Sequence, residues 1–396
     1  MYVTRRITDC RRHPELLDAA PPEGPFSGVM VIHDQEAEEA KSSCCFGLCI
    51  DTSVKELPLP QNKTIIISFT SGSSSNNTQT TSNDYVMLFP VLGQPLSSNT
   101  YYAVQANGKH QGEAHTSSTE EDMKTCCFCT CIGDVKPRPL DPNNPLQQFQ
   151  LFLRPPACSA HQGFKSKSVS PGAFPPYFLR RKGWTVYAEI SKDFTLGEAL
   201  GLDAALRSRF PGFEFSLSSK TSAHVGVGKW YVPFMFVKEG GMGLKEQMKK
   251  STFYEMTLEQ RWEKIFDSEN AGRKTSVVVD ATVVTEVVLS GGRVSMTGSA
   301  ADGVMWYKST SDAAEIGLSL GIVDRMKWEE KRVGWNEGGG KIMVEAIEEL
   351  SGSSRGEWSR FGCYVLVERF ELKRMDGSLV ISFDFYHTHQ TRNKWE

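Results

Sequence analysis

Long apolar runs are missing from this chain of 396 residues. No stretch approaches the roughly 20 apolar residues that cross a bilayer as a helix, so no membrane-spanning helix is expected. The opening MYVTRRITDCRRHPEL holds no apolar core of signal-peptide length, no glycine follows Met1, and the closing NKWE has no cysteine. The expectation is a cytoplasmic protein whose ten cysteines are mostly reduced and whose sequons at Asn62 and Asn76 are idle. An excess of one charge is missing as well. The formal net charge of −3 calls for neither nucleic acid nor an anionic surface, and no nucleic-acid partner is expected. What is present excludes disorder: 39% hydrophobic and 10% aromatic residues suffice to bury a core.

Turn-rich stretches divide the chain. Residues 72–83 (GSSSNNTQTTSN) form a polar insertion, 136–145 (KPRPLDPNNP) a proline-rich connector, and 159–176 an irregular stretch ending in FPP. They suggest a β-rich region over 1–150, a mixed α/β region over 160–270 and an antiparallel β region over 271–396. Short β-branched and aromatic runs at 29–32, 64–69, 85–92 and 101–105 read as strands. In the middle, 183–190 and 229–237 read as strands, the second with Pro233 at an edge or bulge. Helices are expected over 195–210 (capping box Thr195 and Glu198), 243–250, and 257–267 (capping box Thr257 and Gln260, with Leu258, Trp262 and Ile265 on one face). From Thr275 the period becomes two, giving strands at 276–290, 304–308, 316–323, 341–347, 361–373 and 379–388. Asp376-Gly377 would make the tight turn between the last pair. The fold class is α+β, mainly antiparallel β with a few helices, and the C-terminal half a β-sandwich or large sheet.

The strings FPPYFLRRKGWTVY (174–187), GKWYVPFMFVKEG (228–240), MTLEQRWEKIF (256–266) and FGCYVLVERFELKRMDGSL (361–379) resemble a plant family catalogued as Domain of Unknown Function 1262. MYVTR, VLGQPLSSNTYY (91–102), KHQGEA (109–114) and the final KWE resemble it too, so the likeness runs over nearly the whole chain. It implies a land-plant protein with a tie to defence or stress responses. It brings no catalytic residues.

The strongest internal signal is a repeat. Cys44-Cys45-Phe46-Gly-Leu-Cys49-Ile50 recurs 82 positions later as Cys126-Cys127-Phe128-Cys-Thr-Cys131-Ile132, which gathers seven of the ten cysteines into two nests. Four thiolates close a tetrahedral zinc site, and Cys45, Cys49, Cys127 and Cys131 are the symmetric set, with Cys129 as a spare. On a strand, residues i and i+4 lie roughly 13 Å apart and cannot share an ion, so metal binding requires each nest to be a turn. As strands, the same cysteines are small buried apolar residues. Packing, zinc, and S-acylation or redox pairing all stay open, with packing first.

Gly317-Leu318-Ser319-Leu320-Gly321 satisfies the G-x-S-x-G pattern of serine hydrolases, and Asp376 or Asp384 and then His387 or His389 follow in the order those enzymes use. The expected context is wrong, because Ser319 falls in an alternating segment rather than at a strand-to-helix elbow of a parallel sheet. Alternation puts Phe383, Phe385, His387 and His389 on one strand face and Asp384 and Tyr386 on the other. The two histidines would suit a metal or a pocket, or simply pair structurally. Gly338-Gly339-Gly340-Lys341 fails the Walker pattern, since Trp335 and Ile342 replace required residues. The cluster Arg180-Arg181-Lys182 beside Tyr177 and Trp184 reads as a solvated face that could also meet phosphate or a membrane.

Two functional classes compete. One is a non-enzymatic binding protein, defence-associated, with a protein partner or a membrane surface. Its sharper form takes 275–296 (TSVVVDATVVTEVVLSGGRVSM) as an amphipathic hairpin like those of β pore-formers, against the plainer reading of a core hairpin. The other is an enzyme of unfamiliar fold acting on a small hydrophobic substrate. A deep pocket holding perturbed histidine or carboxylate groups would separate them.

Overall fold

The computed structural model describes all residues except 43–51, 74–77, 127–128, 155–162, 191–193, 273, 310–314, 338–339 and 351–357. About 50% of the chain is strand and about 16% helix, so helices only punctuate a set of mainly antiparallel sheets. No helix among the described residues is long and apolar enough to cross a membrane. The chain forms two compact units. The first comprises Met1–Ala199 with Pro233–Met235 and Met242–Phe253, and the second Leu200–Val232, Phe236–Gly241 and Tyr254–Glu396.

The first unit begins with β1 (Tyr2–Arg6), α1 (Ile7–Arg12), α2 (Glu15–Asp18), β2 (Gly28–Ile32) and α3 (Gln35–Ser42), with β1 and β2 parallel. Then follow β3 (Ser53–Val54), β4 (Lys63–Ser73), β5 (Thr78–Pro90), β6 (Thr100–Gln105), the small hairpin β7 (Met123–Cys126) and β8 (Cys129–Ile132), β9 (Gln148–Arg154), β10 (Gly163–Ser168), α4 (Tyr177–Arg180) and β11 (Thr185–Ile190). Seven of these strands make an antiparallel sheet in the order β10-β9-β6-β5-β4-β11-β3. Alternate residues of its strands, among them Ile65, Ile67, Val86, Leu88, Tyr101, Phe149 and Val186, join Trp184 in one core.

The second unit contains β12 (Gly201–Leu202), α5 (Ala204–Arg207), β13 (Val225–Pro233) and β14 (Val237–Glu239); α6 (Leu244–Lys250) of the first unit interrupts it in the chain. It continues with β15 (Phe253–Glu269), β16 (Ser276–Val284), β17 (Glu286–Ser290), β18 (Arg293–Ala301), β19 (Val304–Ser309), β20 (Glu315–Ser319), α7 (Leu320–Lys331), β21 (Lys341–Glu349), β22 (Arg360–Arg374) and β23 (Leu379–Trp395). Its large sheet runs β14-β20-β19-β18-β17-β23-β22-β15-β13, with β12 on β13, while β16 and β21 form a separate two-stranded ribbon. The expected turn joins β22 to β23: Gly377 has a φ of 83° and its N–H donates to the Arg374 carbonyl.

Several expected elements differ, among them 229–237, which ends as β13 at Pro233 and resumes as β14 at Val237, and 72–83, whose described residues lie in β4 and β5. Residues 257–267 are strand, inside β15. Leu258 and Trp262 are four apart, a spacing that serves one face of a helix and one face of a strand alike. Across the sheet Leu258 faces Phe370 and Trp262 faces Leu366, and that cross-strand packing decides. The helix of 195–210 shrinks to α5, because Gly201 at φ 83° breaks it, and Glu198 pairs with Arg6 instead of capping. Residues 316–323 are half strand and half helix, changing at Ser319. The single strand of 276–290 is two strands in different sheets, parted at the buried Thr285: β16 pairs with β21 and only β17 turns back onto β18, so 275–296 is not one continuous hairpin.

Gly317 sits where three strands leave no room for a side chain. It faces Trp306 on β19 and Lys238 on β14, and a Cβ would stand 2.7 Å from the Val304 side chain and 3.1 Å from each of Lys238 and Trp306. Gly317→Ala should therefore cost roughly 1–3 kcal/mol through overpacking. The reading is a lower urea midpoint with unchanged slope; an unmoved midpoint would show that the three strands spread freely.

Candidate site: a buried ion cluster beneath an apolar cavity

Five elements of the second unit converge on one guanidinium. Arg207 ends α5, whose first turn is capped by the Asp203 carboxylate accepting the Leu206 N–H at 2.8 Å. Gln260 comes from β15, Glu368 from β22 directly opposite it, and His387 from β23 opposite Leu366. Helix α7 supplies Arg325, Glu329 and Glu330, all buried.

Arg207 Nε donates to Glu368 Oε1 at 2.9 Å and Nη2 to Glu368 Oε2, a two-point grip. Nη1 reaches Glu329 Oε1 at 3.1 Å and Nη2 reaches Glu330 Oε1 at 3.3 Å. Arg325 Nη2 holds the other Glu329 oxygen at 3.2 Å. His387 Nε2 lies 2.8 Å from Glu330 Oε2 and 3.7 Å from Glu368 Oε2. Gln260 Nε2 donates to Glu368 Oε1 at 2.7 Å and to the Arg207 carbonyl at 3.1 Å, which fixes the orientation of its amide. Its Oε1 is buried and accepts nothing among the described residues.

The protonation states follow from this geometry. Burial pulls the His387 pKa down, but hydrogen bonds and charge from Glu330 and Glu368 overcome it and raise the pKa to about 9. Burial and the Glu368 charge push Glu330 up to about 8, against the pull of His387 and Arg207. A neutral Glu330 would remove much of what raises His387, so both shifts describe one shared proton; carboxylates on both sides of the imidazole place it on His387. Burial would raise Glu368 too, but His387 and Arg207 hold it well below the usual carboxylate range. Among the buried groups, the three carboxylates of Glu329, Glu330 and Glu368 are then balanced by Arg207, Arg325 and protonated His387, and the exposed Arg332 stands a further 3.6 Å from Glu329 Oε1.

The ligand atoms of Glu330, Glu368 and His387 lie within 4.8 Å of one another, close enough for one metal ion. The charge balance opposes it. A divalent cation would displace the histidine proton and sit against Arg207, which already bonds both carboxylates. The cluster fits a proton better than a metal.

Above it opens a cavity of about 300 Å³. Leu202, Phe210, Val333 and Leu366 give it apolar walls, Gln260, Glu368 and His387 line it from the cluster, and Arg332 is among its lining residues. His387 Nδ1 makes no hydrogen bond among the described residues, so the protonated ring has an N–H to spare.

Of the residues singled out from sequence, only His387 belongs to this site. His389 Nε2 donates to the Val333 carbonyl at 3.1 Å, and its ring meets that of His387 at 5.5 Å. Asp384 is on the other face, clamped by Arg369 at 2.6 and 2.7 Å and by Arg261 at 3.3 and 3.0 Å. Burial would raise its pKa, but these bonds lower it, leaving a structural counter-ion. Ser319 does stand at a strand-to-helix junction, contrary to expectation. The sheet there is antiparallel, its φ of −51° is unstrained, and no histidine bonds to it among the described residues. Cys45, Cys49 and Cys127 lie outside the described residues, and with them the adjacency of the two nests. Cys129 pairs with Cys126 across the β7–β8 hairpin, and Cys131 is exposed on β8. Sequence reasoning missed Arg207, Gln260, Glu329, Glu330 and Glu368; the available signal was charge at strand positions and the doublet Glu329-Glu330.

Residues 23–128 match a family model described as Protein of unknown function (DUF1262). The match covers about a quarter of the chain, not nearly all of it as the sequence resemblance implied, and it ends before every residue of the ion cluster. No curated protein matches. Among solved structures the chain is similar to one described as "Crystal structure of Cry35Ab1", with 10% identity, a TM-score of 0.46, and coverage of 85% of this chain and 90% of that one.

The raised pKa of His387 sets a pH dependence. Its folded value exceeds the ordinary 6.5, so its stabilisation is complete below pH 6.5 and lost as pH rises through about 9. The urea midpoint should fall between pH 6.5 and 9, by an amount worth on the order of a few kcal/mol, and His387→Gln should flatten that slope. Equal slopes in both proteins would refute this account of the cluster.

Proposed function

We propose that this protein is a non-catalytic binder of a small, mainly apolar molecule carrying a hydroxyl or carboxamide group, taken into the cavity of the second unit. The observation that carries this is the pair of unused polar atoms of residues lining apolar walls. Gln260 Oε1 lacks a donor and His387 Nδ1–H lacks an acceptor. A buried polar atom such as Gln260 Oε1 left unmatched costs about 1–3 kcal/mol, and a ligand group that both donates and accepts removes that cost and meets the His387 N–H as well. Because the buried groups of the cluster are already charge-balanced, a neutral ligand disturbs them least. The walls of Leu202, Phe210, Val333 and Leu366 suit an alkyl or ring body.

The enzyme reading has less support. The His387 proton is held by two carboxylates, Asp384 is spent on two arginines, and no histidine bonds to Ser319 among the described residues. The family resemblance adds the expectation of a plant protein that serves defence or stress responses in the cytoplasm. A ligand-sensing role would join that expectation to the pocket.

Calorimetric titration with 1-octanol tests the reading. Wild-type protein should bind it saturably, and octanoic acid methyl ester, which cannot donate, should bind roughly ten-fold more weakly. Ala204→Trp places a bulky ring at the exposed lining position of α5 and should abolish binding without unfolding the protein. Binding that survives Ala204→Trp would move the ligand elsewhere and end the proposal.

A further inference from the structure

The first unit has a cavity of its own, of about 440 Å³, lined by residues from β5, the segments 110–115 and 134–137, and α4 with its flanks. We infer that it is a second binding site, for a small hydroxylated aromatic carboxylate. The basic cluster read from sequence as a solvated face is, at Arg181, something else. The proline pair Pro175-Pro176 leads into α4, and Arg181 follows that turn onto the sheet with its side chain only 11% exposed. Its guanidinium carbon lies 4.5 Å from the centre of the Phe69 ring and 5.0 Å from that of Tyr177, so two aromatic rings shield it from water. Ser82 and Asp84, two apart on β5 and therefore on one face, take two of its donors at 2.6 and 3.3 Å. The Nε donor has no partner. Neither has Arg180 Nη1, also buried, although Arg180 Nη2 stands 3.7 Å from Asp134.

The unpaired donors point to an anion. In the lining Arg181 and Lys136 match Asp84 and Asp134 in number, but Arg181 Nε and the neighbouring Arg180 Nη1 keep buried N–H groups without an acceptor, and burial pushes the Asp84 carboxyl upward, which weakens it as a counter-ion. One carboxylate would supply acceptors for the unpaired guanidinium N–H groups.

The opposite requirement comes from His115. Burial, and secondarily the charge of His110, lowers its pKa to about 4, so the ring is neutral. Its Nε2 lies 2.8 Å from Gln105 Oε1, whose amide is oriented by Gln105 Nε2 donating to Asn107 Oδ1 and the Tyr85 carbonyl. Nε2 therefore carries the proton and Nδ1 is a bare acceptor, with no partner among the described residues. A ligand hydroxyl would donate to it. The same lining offers Pro137, Pro176, Phe178, whose ring lies against His115, and the exposed ring of Tyr177, surfaces on which an aromatic ring can stack. The cavity thus asks for an anion, a planar apolar body and a hydrogen-bond donor together.

The probe is 4-hydroxybenzoate, followed by calorimetry and by saturation-transfer NMR on the full chain. Saturable binding is expected. 4-Methoxybenzoate, which lacks the donor, and benzyl alcohol, which lacks the charge, should each bind about ten-fold more weakly. Arg181→Gln should weaken binding by at least the same factor. Since Arg181 also packs, Lys136→Gln and Tyr177→Ala at exposed positions provide variants that keep the fold, and each should weaken binding by about three-fold. Ala204→Trp, which closes the other cavity, should leave 4-hydroxybenzoate binding unchanged, so failure here is distinguishable from failure of the alcohol site. No saturable binding at millimolar probe, equal affinity for the three compounds, or insensitivity to both Lys136→Gln and Tyr177→Ala would each overturn the assignment.

Discussion

A single buried guanidinium organises the second unit. Arg207 bonds carboxylates from α7 and β22, and its own carbonyl accepts from Gln260 of β15. Desolvating such charges costs several kcal/mol per ion, and only a complete set of partners offsets it. The consequence is specificity of arrangement. A strand slip of one residue would turn Glu368 or His387 to the opposite face and leave Arg207 short of a partner. Hydrophobic packing alone would tolerate more ways of laying α7 on the sheet.

The other face of the same strands carries a second ionic set built to a different purpose. Asp384 receives both oxygens' worth of bonds from Arg369 and Arg261, while Glu263 joins Arg261 to the Tyr386 hydroxyl at 3.1 Å. Every partner there is consumed. In the Arg207 set two atoms of lining residues remain unused, and they belong to residues at an apolar cavity. That contrast, rather than the mere presence of buried charge, separates a candidate site from a structural clamp.

How much of this could be read beforehand depended on which signal each element used. The strands of the C-terminal half alternate apolar and polar residues, and the turn at Asp376-Gly377 needs a positive φ, so both were legible. The split of Phe383, Phe385 and His387 from Asp384 and Tyr386 was legible for the same reason. Helix α7 was not, because its buried face is built from Arg325, Glu329 and Glu330 as well as Ile322, Val323 and Met326. A search for apolar stripes misses a stripe whose members are charged and paired. β15 was misread for the converse reason: its spacing fitted two periods, and only the partner residues on β22 choose between them. The ion cluster has no local sequence signature, since its members come from five separate elements.

The unpartnered polar atoms of each cavity carry the distinction between their ligands. Among the buried groups around Arg207 the charges close at neutrality once His387 holds its proton, so what is missing there is a matched donor and acceptor. Around Arg181 the lining charges of Arg181, Lys136, Asp84 and Asp134 also cancel, but a guanidinium N–H shielded by Phe69 and Tyr177 has no acceptor. A shielded guanidinium with a free N–H attracts a carboxylate more strongly than an exposed one, because the attraction is not shared with solvent. The same shielding weakens Asp84 as an internal answer, since burial raises its pKa while Ser82 offers only a hydroxyl. The two cavities therefore make different demands, and each demand traces to the polar atoms its packing leaves without partners.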